Sequence, residues 1–202
     1  MGLTKLEIYN IALVQLGQTP ITDLASTDKT VIKLNAVYNA ALNSTLISQK
    51  WDFATAYADI SANLVDDDLV GRFSRSYSLP ADLALIRFAY TNPSGFEYEN
   101  VEDNLLDYEL VGDVLTTNSE TVFIEYTKTL NAPEDGPTTF GEAVAFRLAT
   151  LCAPSVYHNL NSTEYLANKG EERQAIASSR SRARTPYKAK LSGNWTRDRN
   201  WH

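Results

Sequence analysis

Trp51-Asp52-Phe53-Ala54 stands where the hydrophobic pattern of the chain changes. Before this segment apolar residues recur at the three- and four-residue spacing of amphipathic helices, and after it they alternate as in half-buried strands. Trp51 and Phe53 could stack on a sugar or a base, but an aromatic pair at a helix-to-strand junction more often closes a hydrophobic core. We therefore expect these two side chains to be core anchors between a helical part and a β part.

The residues upstream of this junction begin with a helix signal. Thr4 and Glu7 have the spacing of a capping box, in which each side chain accepts a backbone N–H of the other residue. Apolar residues follow at helical spacing up to Gly17, and glycine is common just beyond a helix end. The pattern predicts a first helix of about 12 residues.

A second helix is expected to begin near Ser26 or Thr27 and to fade near Lys50. The loop between the two helices is short and contains Pro20. Short loops favour antiparallel neighbours. Residues 1–56 are therefore predicted to form an N-terminal helical hairpin.

Residues 57–130 are predicted to form an inserted antiparallel β-domain of about five or six strands. In Val111-Gly112-Asp113-Val114, glycine can supply the positive φ of a two-residue hairpin turn. In Tyr77-Ser78-Leu79-Pro80-Ala81-Asp82-Leu83, we expect Tyr77 and Pro80 to be further core anchors at a strand end. The residues that alternate in two predicted strands are Ala84, Ile86, Phe88 and Tyr90, and then Val122, Ile124 and Tyr126.

Residues 131–185 are predicted to form the C-terminal helices. Thr139-Phe140-Gly141-Glu142 has capping-box spacing, and Pro154 should kink or break the helix that follows. Helicity is expected to resume around Ser162 or Thr163 and to run to about Arg182. The predicted fold class is α+β: a helical bundle with an inserted small antiparallel β-domain and an extended C-terminal arm.

The arm, residues 186–202, is basic and aromatic and shows no regular period. Tryptophan and arginine are the side chains most often found at energetic hot spots of protein interfaces. We predict an arm that binds a partner or a neighbouring subunit. Its residues, with the arginines that lead into it, are Arg180, Arg182, Arg184, Tyr187, Lys188, Lys190, Trp195, Arg197, Arg199 and Trp201.

Charge is distributed unevenly along the 202 residues. The net charge of −7 argues against a non-specific nucleic-acid binder, because phosphate neutralisation needs clustered cations. Between Phe96 and Glu142 the charged residues are nearly all acidic, whereas from Arg173 onward they are mostly basic. The chain therefore has two electrostatically different ends.

Candidate catalytic groups are few, and no cofactor or metal is predicted. Cys152 and His158 lie six residues apart, on different helical faces, which favours a buried structural thiol. His202 is the other histidine, and Asp66-Asp67-Asp68 lacks the downstream glutamate of a calcium loop. Paired carboxylates, which suffice for glycoside hydrolysis, are offered by Glu97, Glu99, Glu102, Asp103 and Asp107. An acidic surface is the favoured interpretation of that set.

The sequence also carries no sign of membrane insertion. The first residues lack a secretory pattern, and no apolar run approaches the roughly 20 residues that a bilayer requires. We expect synthesis and folding in a cytoplasm.

Three segments carry a resemblance to a known family. They are Ile11-Ala12-Leu13-Val14-Gln15-Leu16-Gly17 with Pro20 and Leu24, then Trp51-Asp52-Phe53-Ala54, then Tyr77-Ser78-Leu79-Pro80-Ala81-Asp82. Their order and the chain length resemble the tail tubular protein A family of short-tailed bacteriophages (podoviruses), which are head-to-tail adaptors, or connectors. The resemblance in element order spans nearly the whole chain, except the tail after Lys188.

The resemblance implies a structural virion protein of the viral tail or neck, without catalytic activity and made in the host cytoplasm. Members of the family carry a β-domain inserted in a helical bundle and assemble as a homo-oligomeric ring, a dodecamer, between portal protein and tail nozzle. The nozzle is tail tubular protein B-like, DNA touches the lumen transiently during ejection, and the C-terminal arm contacts portal.

Two other functions stay open from the sequence. One is a virion-associated cell-wall glycosidase that uses a carboxylate pair. The other is a non-viral homo-oligomeric binding module.

Overall fold

The computed structural model describes residues 2–25, 27–65, 72–92, 105–156 and 160–182. Over these ranges the fold is α+β, with four helices and two antiparallel sheets. The helices are α1 (Lys5–Gln15), α2 (Lys29–Ser48), α3 (Thr138–Val156) and α4 (Leu160–Arg182), and short 3-10 turns cover Asp52–Ala54 and Pro133–Asp135. The strands are β1 (Thr55–Asp59), β2 (Leu64–Val65), β3 (Arg75–Ser78), β4 (Leu83–Tyr90), β5 (Glu109–Val111), β6 (Val114–Thr117) and β7 (Phe123–Lys128).

Both ends of α1 follow the predicted signals. The backbone N–H of Thr4 donates to Glu7 Oε2 at 2.7 Å, and the N–H of Glu7 donates to Thr4 Oγ1 at 3.3 Å. At the other end Gly17 has φ of +64°, and the N–H of Gln18 donates to the carbonyl of Leu13 at 2.9 Å. This is a Schellman closure, which satisfies carbonyls at the helix end. The capping box and the stop at Gly17 are confirmed.

The second helix begins later than expected and has a different main neighbour. Asp28 caps α2, accepting the N–H of Thr30 at 2.7 Å, so the helix begins at Lys29 and not at Ser26 or Thr27. Both α1 and α2 pack mainly against α3, whereas the sequence favoured a hairpin in which they pair with each other. Tyr9 of α1 still reaches α2, where its hydroxyl donates to Asn35 Oδ1 at 2.8 Å.

The C-terminal helices also differ from the sequence pattern in detail. The carbonyl of Pro137 accepts the N–H groups of Phe140 and Gly141, so α3 begins at Thr138 and Thr139 lies inside its first turn. The predicted N-cap at Thr139 is therefore wrong. α3 continues through Pro154 as far as Val156, and α4 begins at Leu160, slightly before the predicted start.

The strands form two sheets with the orders β1-β7-β4 and β2-β3-β6-β5. Val111 pairs with Val114 across the turn, and Gly112 has φ of +64°, as the two-residue hairpin requires. The predicted hairpin is confirmed. In and next to β7 the predicted alternation holds only in part: Val122, Ile124 and Tyr126 are buried as predicted, but Glu125 and Thr127 on the other face of the strand are buried as well.

β4 interrupts the predicted alternation. Its register against β7 shifts between Leu83 and Leu85 and again between Ile86 and Phe88. A bulge of this kind moves the following side chains to the opposite face. As a result Phe88 is 42% exposed, while Ala89 is buried.

The described residues form two hydrophobic cores. The helical core is built from α1, α2 and α3 together with Trp51 and Ala54. The β core fills the space between the sheets, with Tyr77 and Leu115 from one sheet and Ile124 and Ala89 from the other. Among the described apolar residues between positions 57 and 130, Ala84 and Leu130 are the ones that pack against the helical core. Each part therefore buries its own apolar surface.

Candidate interaction surfaces

The two parts meet at the C-terminal end of α2, where a polar cluster joins them. The ammonium of Lys50, just beyond α2, forms an ion pair with the carboxylate of Glu125 in the central strand β7. The Glu125 side chain is only 7% exposed, so its charge needs this partner. β7 thus presents a buried carboxylate to the helical part.

Arg87 strengthens the same junction from β4. Its Nη2 donates to the carbonyls of Ile47 at 2.9 Å and Gln49 at 2.5 Å, and its Nε donates to Thr127 Oγ1 at 2.8 Å. These carbonyls belong to a helix end, where backbone acceptors lack intrahelical partners. Burial lowers the pKa of Arg87, and the nearby Glu125 opposes that change. A β-strand side chain therefore caps a helix.

An aromatic cluster lies beneath this junction. Trp51 is fully buried, and its Nε1 donates to the carbonyl of Thr45 at 3.0 Å. The ring centroids of Trp51 and Phe140 are 5.2 Å apart, and those of Phe53 and Phe140 are 5.1 Å apart. Trp51 and Phe53, the proposed anchors, thus pack against Phe140 of α3.

The other two proposed anchors lie in the β part. Tyr77 is 1% exposed, and its hydroxyl donates to the carbonyl of Ser119 at 2.7 Å. Pro80 is half-buried in the turn before β4, where its carbonyl accepts the N–H of Leu83 at 3.0 Å.

The face of the three-stranded sheet that points away from the β core carries exposed aromatic residues beside the buried Glu125. Tyr57 and Phe88 lie opposite Glu125 on its two sides, and they are 56% and 42% exposed. Phe88 also stacks on Tyr90, with ring centroids 6.1 Å apart. Sequence reasoning missed this patch, because the β4 bulge that exposes Phe88 has no local sequence signal.

The β5–β6 hairpin forms an apolar edge with acidic neighbours. All three residues of β5 are exposed, with Leu110 at 51% and Val111 at 47%. Glu109 lies in the same strand, and Asp113 lies in the turn. The order of the described strands places β5 at the border of its sheet.

The predicted binding arm lies mostly outside the described residues. Arg180 and Arg182 belong to the last turn of α4. Outside the described ranges are Arg184, Tyr187, Lys188, Lys190, Trp195, Arg197, Arg199 and Trp201. Upstream in α4, the guanidinium of Arg173 lies 5.7 Å from the ring centroid of Phe146 in α3, and the two helices pack side by side.

A shallow depression lies on the solvent side of α1. It has a volume of about 320 Å³ and is lined by Asn10, Ile11, Val14 and Gln15. The Asn10 amide donates to the carbonyl of Ile21 at 2.9 Å and accepts the N–H of Ile21 at 2.8 Å. The Pro20 loop is therefore held against α1.

Candidate catalytic groups are not brought together in the described ranges. Glu97, Glu99, Glu102, Asp103, Asp66-Asp67-Asp68, His158 and His202 lie outside them. Asp107 is exposed and forms a 2.9 Å ion pair with Arg72. Cys152 is buried, and burial raises the pKa of its thiol to about 11, which supports the structural role predicted for it. The described residues contain no group of metal-ligating side chains, and no described helix is long and apolar enough to span a membrane.

Comparison with models of known protein families gave no match, and comparison with curated proteins gave no significant match.

Proposed function

We propose that this protein is a structural head-to-tail adaptor of a short-tailed bacteriophage. It would form a ring between portal and tail nozzle through which DNA passes. The proposal includes the finer architecture of a helical bundle, an inserted β-domain and a C-terminal arm. It starts from the sequence resemblance and is supported by the way the chain builds its helical part.

The supporting observation is that the helical core is discontinuous in sequence. α1 and α2 precede the sandwich, and α3 follows it, yet all three contribute to one hydrophobic core. The β part lies between these helices in sequence and has its own core, and this element order supports the inserted β-domain that the resemblance implies.

A ring subunit also needs a rigid link between its helical part, which would form the wall of the ring, and its β part, which would dock partners. Without such a link, a displacement at one partner would not be transmitted to the other. The Lys50–Glu125 ion pair and the contacts of Arg87 supply such a link. Heterologous ring closure further requires two different lateral faces. The depression on α1 and the aromatic patch around Phe88 are different in composition and lie on different parts of the subunit.

Electron microscopy of the purified protein with and without portal tests the proposal. We expect rings that attach to portal, and we expect a mixture with an unrelated oligomeric ring protein to give no attachment. A stable monomer that ignores portal would overturn the adaptor proposal in favour of a binding module. Release of sugar from peptidoglycan by the pure protein would favour a glycosidase instead.

A further inference from the structure

We propose that the β5 edge of one copy accepts residues 187–191 of a second copy as an added strand. The self-association that this requires is part of the proposed function, but the strand contact itself needs neither portal nor nozzle. It assigns a specific binding position to one part of the basic C-terminal segment.

The backbone at β5 is arranged to receive a strand. The two-residue turn makes Val111 and Val114 the hydrogen-bonded pair, since a turn of this kind bonds its first and fourth residues. Pairs alternate along an antiparallel ladder, so the N–H and C=O of Leu110 point away from β6. These groups face outward along a strand in which every residue is exposed. An edge of this kind is a template for pairing with another chain.

The side chains of β5 define what the added strand must carry. Leu110 lies on the same face as Leu115 and Tyr77, which belong to the β core, and Glu109 lies on the opposite face. A matching strand therefore needs apolar side chains on one face and a cation on the other.

The sequence after Pro186 contains such a strand. Within a tail that otherwise lacks a period, Tyr187-Lys188-Ala189-Lys190-Leu191 alternates, with apolar residues at 187, 189 and 191. Antiparallel pairing of Ala189 with Leu110 places Lys190 opposite Glu109. Tyr187 and Leu191 then extend the apolar face on either side of Leu110.

Charge on a wider scale favours the same pairing. Residues 105–127 contain five carboxylates and no lysine or arginine, whereas residues 183–202 contain five lysines and arginines and one aspartate. Opposite charges of this kind steer association and disfavour other registers.

The geometry of the fold favours a second copy as the donor. Residues 183–186, roughly 15 Å of fully extended chain, separate the end of α4 from Tyr187. β5 belongs to the sheet that packs on the far side of the sandwich, because the sheet containing β7 is the one that meets α2. A strand from a neighbour does not have to cross the sandwich.

Directed cross-linking tests the pairing without portal. Full-length chains carrying Leu110→Cys are mixed with larger, tagged full-length chains carrying Ala189→Cys, both in a Cys152→Ala background, and treated with a short bismaleimide. We expect a mixed cross-linked dimer. Leu64→Cys is the matched control, because Leu64 is 55% exposed at the opposite border of the same sheet, and it should give little product.

A charge exchange adds a second measurement. Glu109→Lys or Lys190→Glu alone should lower the cross-linked fraction about threefold, because each places like charges opposite one another. The two changes together, one in each chain, should restore it. Three outcomes would overturn the proposal. The first is absence of the mixed dimer at high protein concentration, and the second is equal product from Leu64→Cys. The third is cross-linking that forms only within a single chain carrying both Leu110→Cys and Ala189→Cys. Because portal is absent, none of these outcomes depends on whether the ring attaches to it.

Discussion

The guanidinium of Arg87, in the middle of a β-strand, donates a 2.5 Å hydrogen bond to the carbonyl of Gln49, the residue that caps α2. The two residues are 38 positions apart and belong to different parts of the fold. Helix ends usually find their partners in nearby residues or in water. Here the partner comes from the β part, so a side chain of β4 satisfies carbonyls at the end of α2.

The first prediction tests this junction. Arg87→Met keeps an unbranched apolar stem but removes all donors, so two helix-end carbonyls lose a charged partner. We expect a loss of about 1.5–3 kcal/mol in the free energy of unfolding, measured by denaturant titration. The control is Arg72→Met, which breaks an ion pair whose two side chains are largely exposed, and it should cost no more than about 1 kcal/mol. Equal effects of the two changes would contradict the assigned role.

The second prediction concerns the aromatic cluster. Trp51→Ala removes a fully buried indole between Phe53 and Phe140 and one of two side-chain donors to the carbonyl of Thr45, which keeps the Ser48 hydroxyl. We expect a loss of about 3–5 kcal/mol in stability. Tyr165→Ala, at a side chain that is 61% exposed on α4, serves as the control and should change stability by less than about 0.5 kcal/mol. A small effect at Trp51 would mean that this residue does not hold the helical core together.

Features with a local cause were predictable from the sequence. The capping box of Thr4 and Glu7 and the turn at Gly112 each depend on residues within a few positions, and both formed as expected. The burial of Trp51 was expected for the same reason, since aromatic residues at a change of period tend to close a core.

Features with a long-range cause were not predictable. The packing of α1 and α2 on α3 depends on a helix that begins 90 positions after the end of α2. The exposed patch at Phe88 follows from a bulge in β4, and the capping by Arg87 follows from the docking of two parts. An alternating pattern of apolar residues indicates neither the bulge nor the docking of the two parts.

The third prediction concerns alkaline pH. The pKa of Cys152 is raised to about 11 by burial, whereas an unfolded cysteine titrates near 8.5. The folded protein therefore keeps a proton that the unfolded chain loses, and stability should fall as the pH rises from about 8.5 towards 11. Burial raises the pKa of Tyr38 as well, to about 12, and adds to the loss above about pH 10.

The measurement is the free energy of unfolding at several pH values between about 7 and 10.5. Cys152→Ala should show a shallower decline than the unchanged chain over the upper part of this range. Parallel declines would exclude Cys152 as a source of the pH dependence. Slow alkylation of the thiol in the folded protein at about pH 8, and rapid alkylation in denaturant, give an independent check.

The fourth prediction separates the two parts of the fold. Replacing residues 57–130 by a short linker removes the β core and, of the described apolar residues that pack against the helical core, Ala84 and Leu130. We expect a shortened protein that keeps its helical circular dichroism, melts at a lower temperature because Arg87 is gone, and fails to recruit the tail nozzle. Loops and inserts of this kind commonly carry partner contacts. Normal nozzle recruitment by the shortened protein would refute the assignment of the β-domain as the docking part.

The last prediction divides the C-terminal segment by function. Removing residues 186–202 takes away Trp195 and Trp201 and several cations but no described contributor to either core. The thermal unfolding of the isolated chain should therefore remain nearly unchanged, whereas attachment to portal-bearing heads should be greatly weakened. Tryptophan and arginine dominate interface energetics, and their loss removes the strongest contacts that this segment offers.

A shorter truncation, of residues 192–202, distinguishes the two roles proposed for the segment. It keeps the strand that pairs with β5 and removes both arm tryptophans, so cross-linking between copies should persist while portal attachment is lost. Attachment is measured by co-sedimentation with portal-bearing heads, and self-association by the Leu110→Cys and Ala189→Cys cross-link. If the protein lacking residues 186–202 attaches to portal as well as the full chain does, the arm is not the portal contact. If the shorter truncation abolishes the cross-link, strand pairing depends on the tryptophans, and the division of roles along the segment is wrong.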